Sequence, residues 1–85
     1  MQATEREILR QFVIENFLFG RENGLRDSDS FLENGIIDST GVLELVGFLE
    51  RRFGIAVADD ELVQENLDSI ENLTRFLAQK ERHAA

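Results

Sequence analysis

Three runs of apolar residues at helical spacing dominate this chain, and each is preceded by residues that favour the start of a helix. The runs follow Thr4, Asp38 and Asp68, and glycine comes after the first two. Apolar residues that recur every three or four positions fall on one face of a helix. No pair of alternating segments flanks a short turn, as a β-hairpin would require. The chain is therefore predicted to be all-α.

Helix 1 is predicted at about 4–19 and helix 2 at about 39–53. Thr4 and Glu7 fit a capping box at the start of helix 1, and Gly20 is expected to end it. Asp38 is the expected N-cap of helix 2, and Gly54 its stop. The positions expected to face the core are Leu9, Phe12, Val13 and Phe17 in helix 1, and Val42, Leu45, Val46, Leu49 and Phe53 in helix 2.

Residues 20–37 form a long, glycine-rich connection between these helices. Long connections in small domains tend to carry function or to be held by apolar anchors, and the candidate anchors here are Phe31, Leu32 and Ile36. A linker with buried Ile55 and Val57 is expected to follow helix 2.

The remaining helices are marked by clusters of acidic residues. Asp59–Gln64 is predicted to form a short helix with its acids in the first turn. A second capping box in Asp68-Ser69-Ile70-Glu71 predicts helix 4 at about 69–80, with Ile70, Leu73, Phe76 and Leu77 facing inward. The expected architecture is one domain over residues 1–85, ordered at about 4–80. It is a small bundle of three longer helices and one short helix.

Composition and charge limit the classes of function. The chain has no cysteine, no apolar window near the ~20 residues of a membrane span, and no signal-peptide pattern, so a cytoplasmic protein is expected. Its formal charge is −8, and twelve of its seventeen acids lie between Asp27 and Glu71, against two of its nine bases. This distribution disfavours nucleic acid and membrane as partners and favours a basic protein.

Ser39 is the leading candidate for a functional residue. It is placed where helix 2 begins, and the N-terminus of a helix offers free N–H groups and a favourable dipole to an anion such as phosphate. A hydrolytic serine would need a base, but the only histidine is His83, near the C-terminus. Asp27-Ser28-Asp29 resembles the start of a calcium loop but has Leu32 where glycine is required, so no metal site is predicted.

The exposed side of helix 2 is a candidate docking surface. Thr40, Glu44, Gly47 and Arg51 line up opposite the apolar stripe. A glycine in mid-helix costs about 1 kcal/mol relative to alanine, which suggests that Gly47 allows the close approach of a partner. An acidic interaction module that carries no prosthetic group is an alternative from a different functional class.

The chain resembles the acyl carrier proteins over about residues 4–80. The matching features are the Asp38-Ser39 pair opening an acidic helix 2, the end of that helix at residues 49–55, and the acidic turn at 59–61. The resemblance implies that Ser39 accepts 4′-phosphopantetheine from coenzyme A, with Asp38 recognised by a phosphopantetheinyl transferase. It also implies a carrier without catalytic activity, whose terminal thiol holds an acyl group as a thioester.

Two departures from the family pattern suggest a specialised carrier. Thr40 replaces the usual leucine, and Gly35-Ile36-Ile37-Asp38 with Gly41 is similar to the motif of D-alanyl carrier proteins. The resemblance therefore implies a monomer that is loaded by an acyl-adenylate ligase or acyltransferase and serves downstream acyl-using enzymes. A D-alanyl or aminoacyl carrier is the alternative within the family. Phe12, Leu45, Leu49 and Phe76 are expected to form the scaffold, and a sheath for a short acyl chain.

Overall fold

The computed structural model describes residues 3–83, and this part of the chain contains four α-helices, one 3₁₀ turn and no strand. The elements are α1 (Glu5–Phe17), α2 (Ser39–Phe53), the 3₁₀ turn (Asp59–Glu61), α3 (Gln64–Leu67) and α4 (Ile70–His83). The radius of gyration is 12.2 Å, close to the ~12 Å expected for a globule of this length. The all-α prediction, with three longer helices and one short one, is confirmed.

Thr4 is the N-cap of α1, as predicted, but its backbone N–H does not bond to Glu7 as a full capping box requires, and the helix ends earlier than expected. The Thr4 hydroxyl accepts the N–H of Glu7 at 3.2 Å. At the other end, the N–H groups of Leu18 and Gly20 both donate to the carbonyl of Ile14, at 3.2 and 2.9 Å. These bonds turn the backbone out of the helix after Phe17, before the predicted end at about residue 19.

Both ends of α2 agree with the prediction. The Asp38 carboxylate accepts the N–H of Gly41 at 2.7 Å, which makes it the N-cap. Gly54 adopts a left-handed conformation with φ 67°, and its N–H donates to the carbonyl of Glu50 at 3.1 Å. Arg51 and Arg52 lie in the last turn, where positive charge complements the helix dipole.

The short helix predicted at Asp59–Gln64 is wrong in position. A 3₁₀ turn occupies Asp59–Glu61, and α3 begins only at Gln64. Glu61 accepts the N–H of Ala58 and pairs with Lys80, each at 2.9 Å, and both contacts hold its pKa below the usual value. Val63 is extended, with ψ 156°, so the helix is interrupted before it.

The start of helix 4 was assigned to the wrong residue. The Ser69 hydroxyl accepts the N–H of Asn72 at 3.0 Å, so Ser69 rather than Asp68 caps α4. Asp68 instead bonds to the long α1–α2 loop, as described below. The helix also continues past the predicted end at about residue 80, to His83, and residues 84 and 85 lie outside the described residues.

The core contains residues from every α-helix and from the long loop. The buried apolar residues are Leu9 and Val13 in α1, Leu45 and Leu49 in α2, Leu67 in α3, Ile70, Leu73, Phe76 and Leu77 in α4, and Leu25, Phe31 and Ile37 in the loop. The inward face predicted for helix 4 is confirmed. Of the predicted scaffold, Phe12 is only half-buried, and its ring stacks on Phe48 with centroids 3.9 Å apart.

The set of loop anchors differs from the prediction at one position. Phe31 is buried and Ile36 is half-buried, as expected, but Leu32 is 54% exposed. Leu25 and Ile37 supply the additional buried contacts. Ile55 and Val57, predicted to be buried in the linker after α2, are half-buried and pack against the core.

Asp68 and Asp27 fasten the loop to the helices. The Asp68 carboxylate accepts the Ser30 hydroxyl and, at 3.0 Å, the N–H of Leu32, and its backbone carbonyl accepts the N–H of Phe31 at 2.8 Å. Asp27 bonds to both Arg6 and Arg10. Burial raises the pKa of the Asp27 carboxyl, but the two guanidiniums outweigh it and the pKa lies below its usual value.

A pair of carboxyl groups joins the start of α1 to the end of α4. Burial, followed by a hydrogen bond and repulsion from Glu81, raises the pKa of Glu5 from 4.5 to about 7. A raised carboxyl pKa stabilises the fold fully at low pH, and this contribution is lost as pH rises through the folded value.

We expect Glu5→Gln to remove this pH dependence. The free energy of unfolding of the variant should exceed that of the wild type above about pH 8, and the difference should vanish towards about pH 4, where the Glu5 carboxyl is protonated. Urea unfolding at several pH values measures this difference in the free energy of unfolding, and Glu7→Gln in the same turn of α1 is the matched control. Parallel pH profiles for Glu5→Gln and the wild type would contradict this expectation.

Candidate functional site

Ser39 is the first residue of α2, and it is exposed. The Asp38 side chain takes the N–H of Gly41, and the Asp38 carbonyl takes the N–H of Val42 at 3.0 Å. Within residues 3–83, the N–H groups of Ser39 and Thr40 have no backbone partner. The serine hydroxyl therefore lies at the positive end of a helix, where a group with negative charge is favoured.

Gly41 positions this end of α2 against the end of α1. A Cβ atom at Gly41 would lie 2.9 Å from Cγ2 of Ile37 and 2.9 Å from Cε1 of Phe17, so the backbone approaches both side chains closely. In the sequence, Gly41 stands out only as part of a motif. Its packing role could not be read from the sequence, because the contact with Phe17 joins two distant segments.

The two glycines of α2 are expected to respond oppositely to substitution. Gly41→Ala should lower the free energy of unfolding by about 1–2 kcal/mol, since the free-energy cost of overpacking exceeds the gain from the higher helix propensity of alanine. Gly47→Ala should raise it by about 0.5–1 kcal/mol. A Cβ at Gly47 meets only the tip of the Arg51 side chain, at 3.1 Å, and that tip can move. Thermal and urea unfolding of the pair test this, and equal changes would contradict it.

An apolar groove opens beside Ser39. It has a volume of about 180 Å³ and lies between the long loop, the first turns of α2, and α3. Its apolar lining comes from Phe31, Leu32 and Ile37 of the loop, Val42 of α2, and Leu62, Val63 and Leu67 around α3. The sequence gives no sign of this groove, because the groove depends on the break between the 3₁₀ turn and α3. That break leaves Leu62 and Val63 39% and 45% exposed.

Comparison with protein families identifies the family to which this chain belongs. The phosphopantetheine attachment site family matches residues 18–77, which is most of the chain and includes Ser39 and the groove. The chain belongs to this family. No curated protein matches it in sequence. Members of the family carry covalently attached 4′-phosphopantetheine, so the chain is a phosphopantetheine-carrying carrier protein and interacts with a phosphopantetheinyl transferase and with acyl-using enzymes.

The residues around Ser39 fit the prosthetic group of such a carrier. An exposed hydroxyl allows attachment, the free N–H groups of the first turn of α2 suit its phosphate, and the groove offers an apolar surface to the chain attached beyond it. The titratable groups lining the groove are Asp38 and Asp68, and both carboxylates already accept hydrogen bonds from the backbone. Carrier proteins of this family are generally non-catalytic.

The outward face of α2 is accessible in the carrier. Thr40, Glu44 and Arg51 are exposed, and Gly47 is half-buried beneath the Arg51 side chain. A second groove, here called the α1–α2 groove, runs beside this face and is lined by Phe12, Asn16, Leu43, Glu44, Gly47 and Arg51. Leu43 is 65% exposed at its edge.

The acidic residues of the calcium-like segment have structural roles. Asp27 of the calcium-like segment pairs with two arginines, and Asp29 accepts the N–H of Arg26 at 2.9 Å. No cluster of three or more His, Cys, Asp or Glu side chains that could hold a metal occurs in the described residues. None of the helices described is long and apolar enough to cross a membrane.

Proposed function

We propose that this chain is a stand-alone acyl carrier protein, with Ser39 as the attachment site. The observation that carries the proposal is the exposed Ser39 at the N-terminus of α2, next to an apolar groove. The domain holds the arm and presents it, and the enzymes that load and use it supply the catalytic groups. We place the protein in the cytoplasm, where coenzyme A and a transferase are available.

The other three serines are poorer candidates. The hydroxyl of Ser30 donates to Asp68 and accepts the N–H of Glu33 at 3.1 Å. Ser69 is only 4% exposed and caps α4. Ser28 is exposed but lies in a turn of the long loop, away from any helix N-terminus. Ser39 alone among the four combines exposure with the start of a helix.

The proposed modification is a transfer of phosphopantetheine from coenzyme A to Ser39. The Ser39 oxygen forms a bond to phosphorus while the pyrophosphate bond of coenzyme A breaks, adenosine 3′,5′-bisphosphate leaves, and the hydroxyl proton passes to a base of the transferase. Asp38 holds the first turn in place through Gly41 and is a recognition residue for the transferase. The attached arm supplies a thiol that carries an acyl group as a thioester.

The lining of the groove favours an acyl cargo over an aminoacyl one. Seven of the eleven lining residues are apolar, so an acyl chain can bury its surface there. The two acidic lining residues, Asp38 and Asp68, already accept hydrogen bonds from backbone N–H groups, so an ammonium group would gain less from the groove than an acyl chain. The local motif of Ile36, Ile37 and Gly41 keeps a D-alanyl or aminoacyl carrier as the second candidate. The motif is not decisive, because close packing by itself accounts for the glycine at position 41. We propose an acyl-adenylate ligase or acyltransferase as the loading enzyme.

We propose the outward face of α2 as the docking surface of a monomeric carrier. Glu44 would attract a basic partner, while Arg51 favours an acidic group farther along the helix. If Gly47→Ala raises stability without changing partner affinity, Gly47 has no role in docking. An acidic interaction module without a prosthetic group would instead lose binding on Glu44→Lys and be indifferent to Ser39.

Incubation with coenzyme A and a broad-specificity phosphopantetheinyl transferase tests the proposal. Intact mass spectrometry should show the gain of one phosphopantetheinyl group, and peptide mapping should place it on Ser39. A further incubation with candidate acids and an adenylating ligase distinguishes an acyl from an aminoacyl carrier. An unchanged mass, or a modified peptide that does not contain Ser39, would refute the attachment site.

A further inference from the structure

Phe19 is the most exposed large apolar side chain of the described chain. It is 90% exposed, whereas the next, Leu43, is 65% exposed. The other six phenylalanines are buried or half-buried and contribute to the core or to the aromatic contacts around it. Nothing in the fold of the described residues therefore uses the Phe19 ring.

The backbone conformation at Phe19 is also unfavourable for a phenylalanine. Its φ of 55° lies in the left-handed region, which a bulky side chain rarely adopts, and Gly20 follows with φ 82°. Gly20 alone could provide the left-handed turn after α1, because glycine adopts it freely. A phenylalanine in such a position is neither required by the helix end nor favoured by it.

Phe19 lies at the same end of the molecule as Ser39. The Phe17 ring touches the first turn of α2 at Gly41, and two residues of chain span at most about 7 Å. Asn16, in the last turn of α1, faces Leu43 across the α1–α2 groove. Leu43 is one helical turn beyond Ser39 and shares its face. The two most exposed apolar side chains thus belong to two segments, the end of α1 and the first turns of α2, that meet where Phe17 approaches Gly41.

We propose that Phe19 and Leu43 are the apolar anchors by which this carrier binds the phosphopantetheinyl transferase. The inference rests on the proposed function, because it assumes that the transferase acts at Ser39. The partner surface has an apolar pocket for the Phe19 ring, with basic side chains beside it. Charge complementarity requires those bases, since Asp38 and Glu44 are exposed on either side of Ser39.

This arrangement explains why an exposed aromatic is placed on a loop. A few large side chains in pockets of the partner dominate the free energy of most interfaces, and aromatic rings are common among them. An anchor on the α1 side, combined with contacts on α2, fixes the orientation of Ser39 relative to the transferase. Docking through α2 alone would leave the carrier free to pivot about that helix.

The test compares the loading kinetics of Phe19→Ala and Phe19→Leu with those of the wild type, using a broad-specificity transferase and coenzyme A. We expect Phe19→Ala to raise KM for the carrier about tenfold with little change in kcat, as for the loss of a binding anchor. Phe19→Leu should restore most of the affinity. The control is Gln79→Ala, on an exposed turn of α4 near the opposite end of α1, and it should load like the wild type.

Melting temperatures separate docking from folding, and Phe19→Ala should melt within a few degrees of the wild type because the Phe19 side chain is 90% exposed. A KM for Phe19→Ala within twofold of the wild type overturns the inference while leaving attachment at Ser39 intact. A wild-type dimer in sedimentation that Phe19→Ala dissociates would assign the ring to self-association and also overturn it. A wild type that is not loaded at all refutes both the proposed function and this inference.

Discussion

Ser39→Ala is expected to abolish phosphopantetheinylation completely. If Ser39 is the attachment site, as proposed, the substitution removes the oxygen that forms the bond to phosphorus. Thr40 has a hydroxyl and is exposed, but it lies one position, or about 100°, farther around α2. Its β-branch also restricts rotation of the side chain. Intact mass after prolonged incubation with coenzyme A and the transferase measures the effect.

Two controls make the result for Ser39 specific. Ser28→Ala changes an exposed hydroxyl in the long loop and should be loaded at the wild-type rate. Ser39→Ala itself should keep its fold, because Ser39 is exposed and exposed substitutions usually change stability by less than about 0.5 kcal/mol. A Ser39→Ala protein that is folded and still gains the group would show that another residue is the attachment site.

Phe31→Ala is expected to cause the largest loss of stability among the loop variants. The ring is 2% exposed and forms part of both the core and the groove beside Ser39. Truncating a buried phenylalanine to alanine typically costs about 3–5 kcal/mol. Since domains of this kind have a free energy of unfolding of about 5–15 kcal/mol, a substantial part of the total would be lost.

Phe31→Ala should also disturb the position of Ser39, because the backbone of the loop connects the two residues. The Phe31 carbonyl accepts the N–H groups of Ile36 and Ile37, at 2.8 and 3.3 Å, and its N–H donates to the Asp68 carbonyl. These bonds lead directly to Asp38, the cap of α2. A cavity at Phe31 would therefore loosen the segment that positions Ser39, and we expect slower loading as well as lower stability.

Leu32→Ala is the matched control for this prediction. It is the adjacent residue, it is apolar, and it lines the same groove, but it is 54% exposed and lies outside the core. Its change in free energy of unfolding should be within about 0.5 kcal/mol. Urea unfolding monitored by circular dichroism measures both variants. If Phe31→Ala is no more destabilised than Leu32→Ala, the loop is not anchored as the structure indicates.

The organisation of the loop has a consequence for the carrier as a whole. The groove beside Ser39 has one wall from the loop and one from the region around α3, and Asp68 joins them through its bonds to Ser30 and Leu32. The same residue terminates α3 and precedes the cap of α4. The shape of the groove thus depends on a few hydrogen bonds between segments that are distant in the chain, in addition to the packing of Phe31 and Leu67.

Local signals in the sequence predicted the parts of the fold that depend on neighbouring residues. The start of α1, both ends of α2 and the inward face of α4 followed from capping residues, glycine and helical periodicity, because these effects act within a few residues. The same signals placed Ser39 at the start of α2, which is why the candidate site could be named from the sequence. The exposed face of α2 also followed from its periodicity.

Tertiary contacts decided the features for which the sequence offered equal alternatives. Asp68 and Ser69 can both cap a helix, and Asp68 was excluded from that role by its hydrogen bonds to Ser30 and Leu32, 38 and 36 residues away. Phe31 and Leu32 are both apolar, but only one can point into the core from an irregular loop.

The sequence by itself determined that this chain is helical and has a serine at the start of its second helix, since each of those signals is local. The tertiary structure alone decided the position of the short helix, the groove that results from it, and the contact of Gly41 with Phe17. It also decided which phenylalanine is left outside the core. These features depend on the free energy of packing between distant segments, which no local pattern encodes.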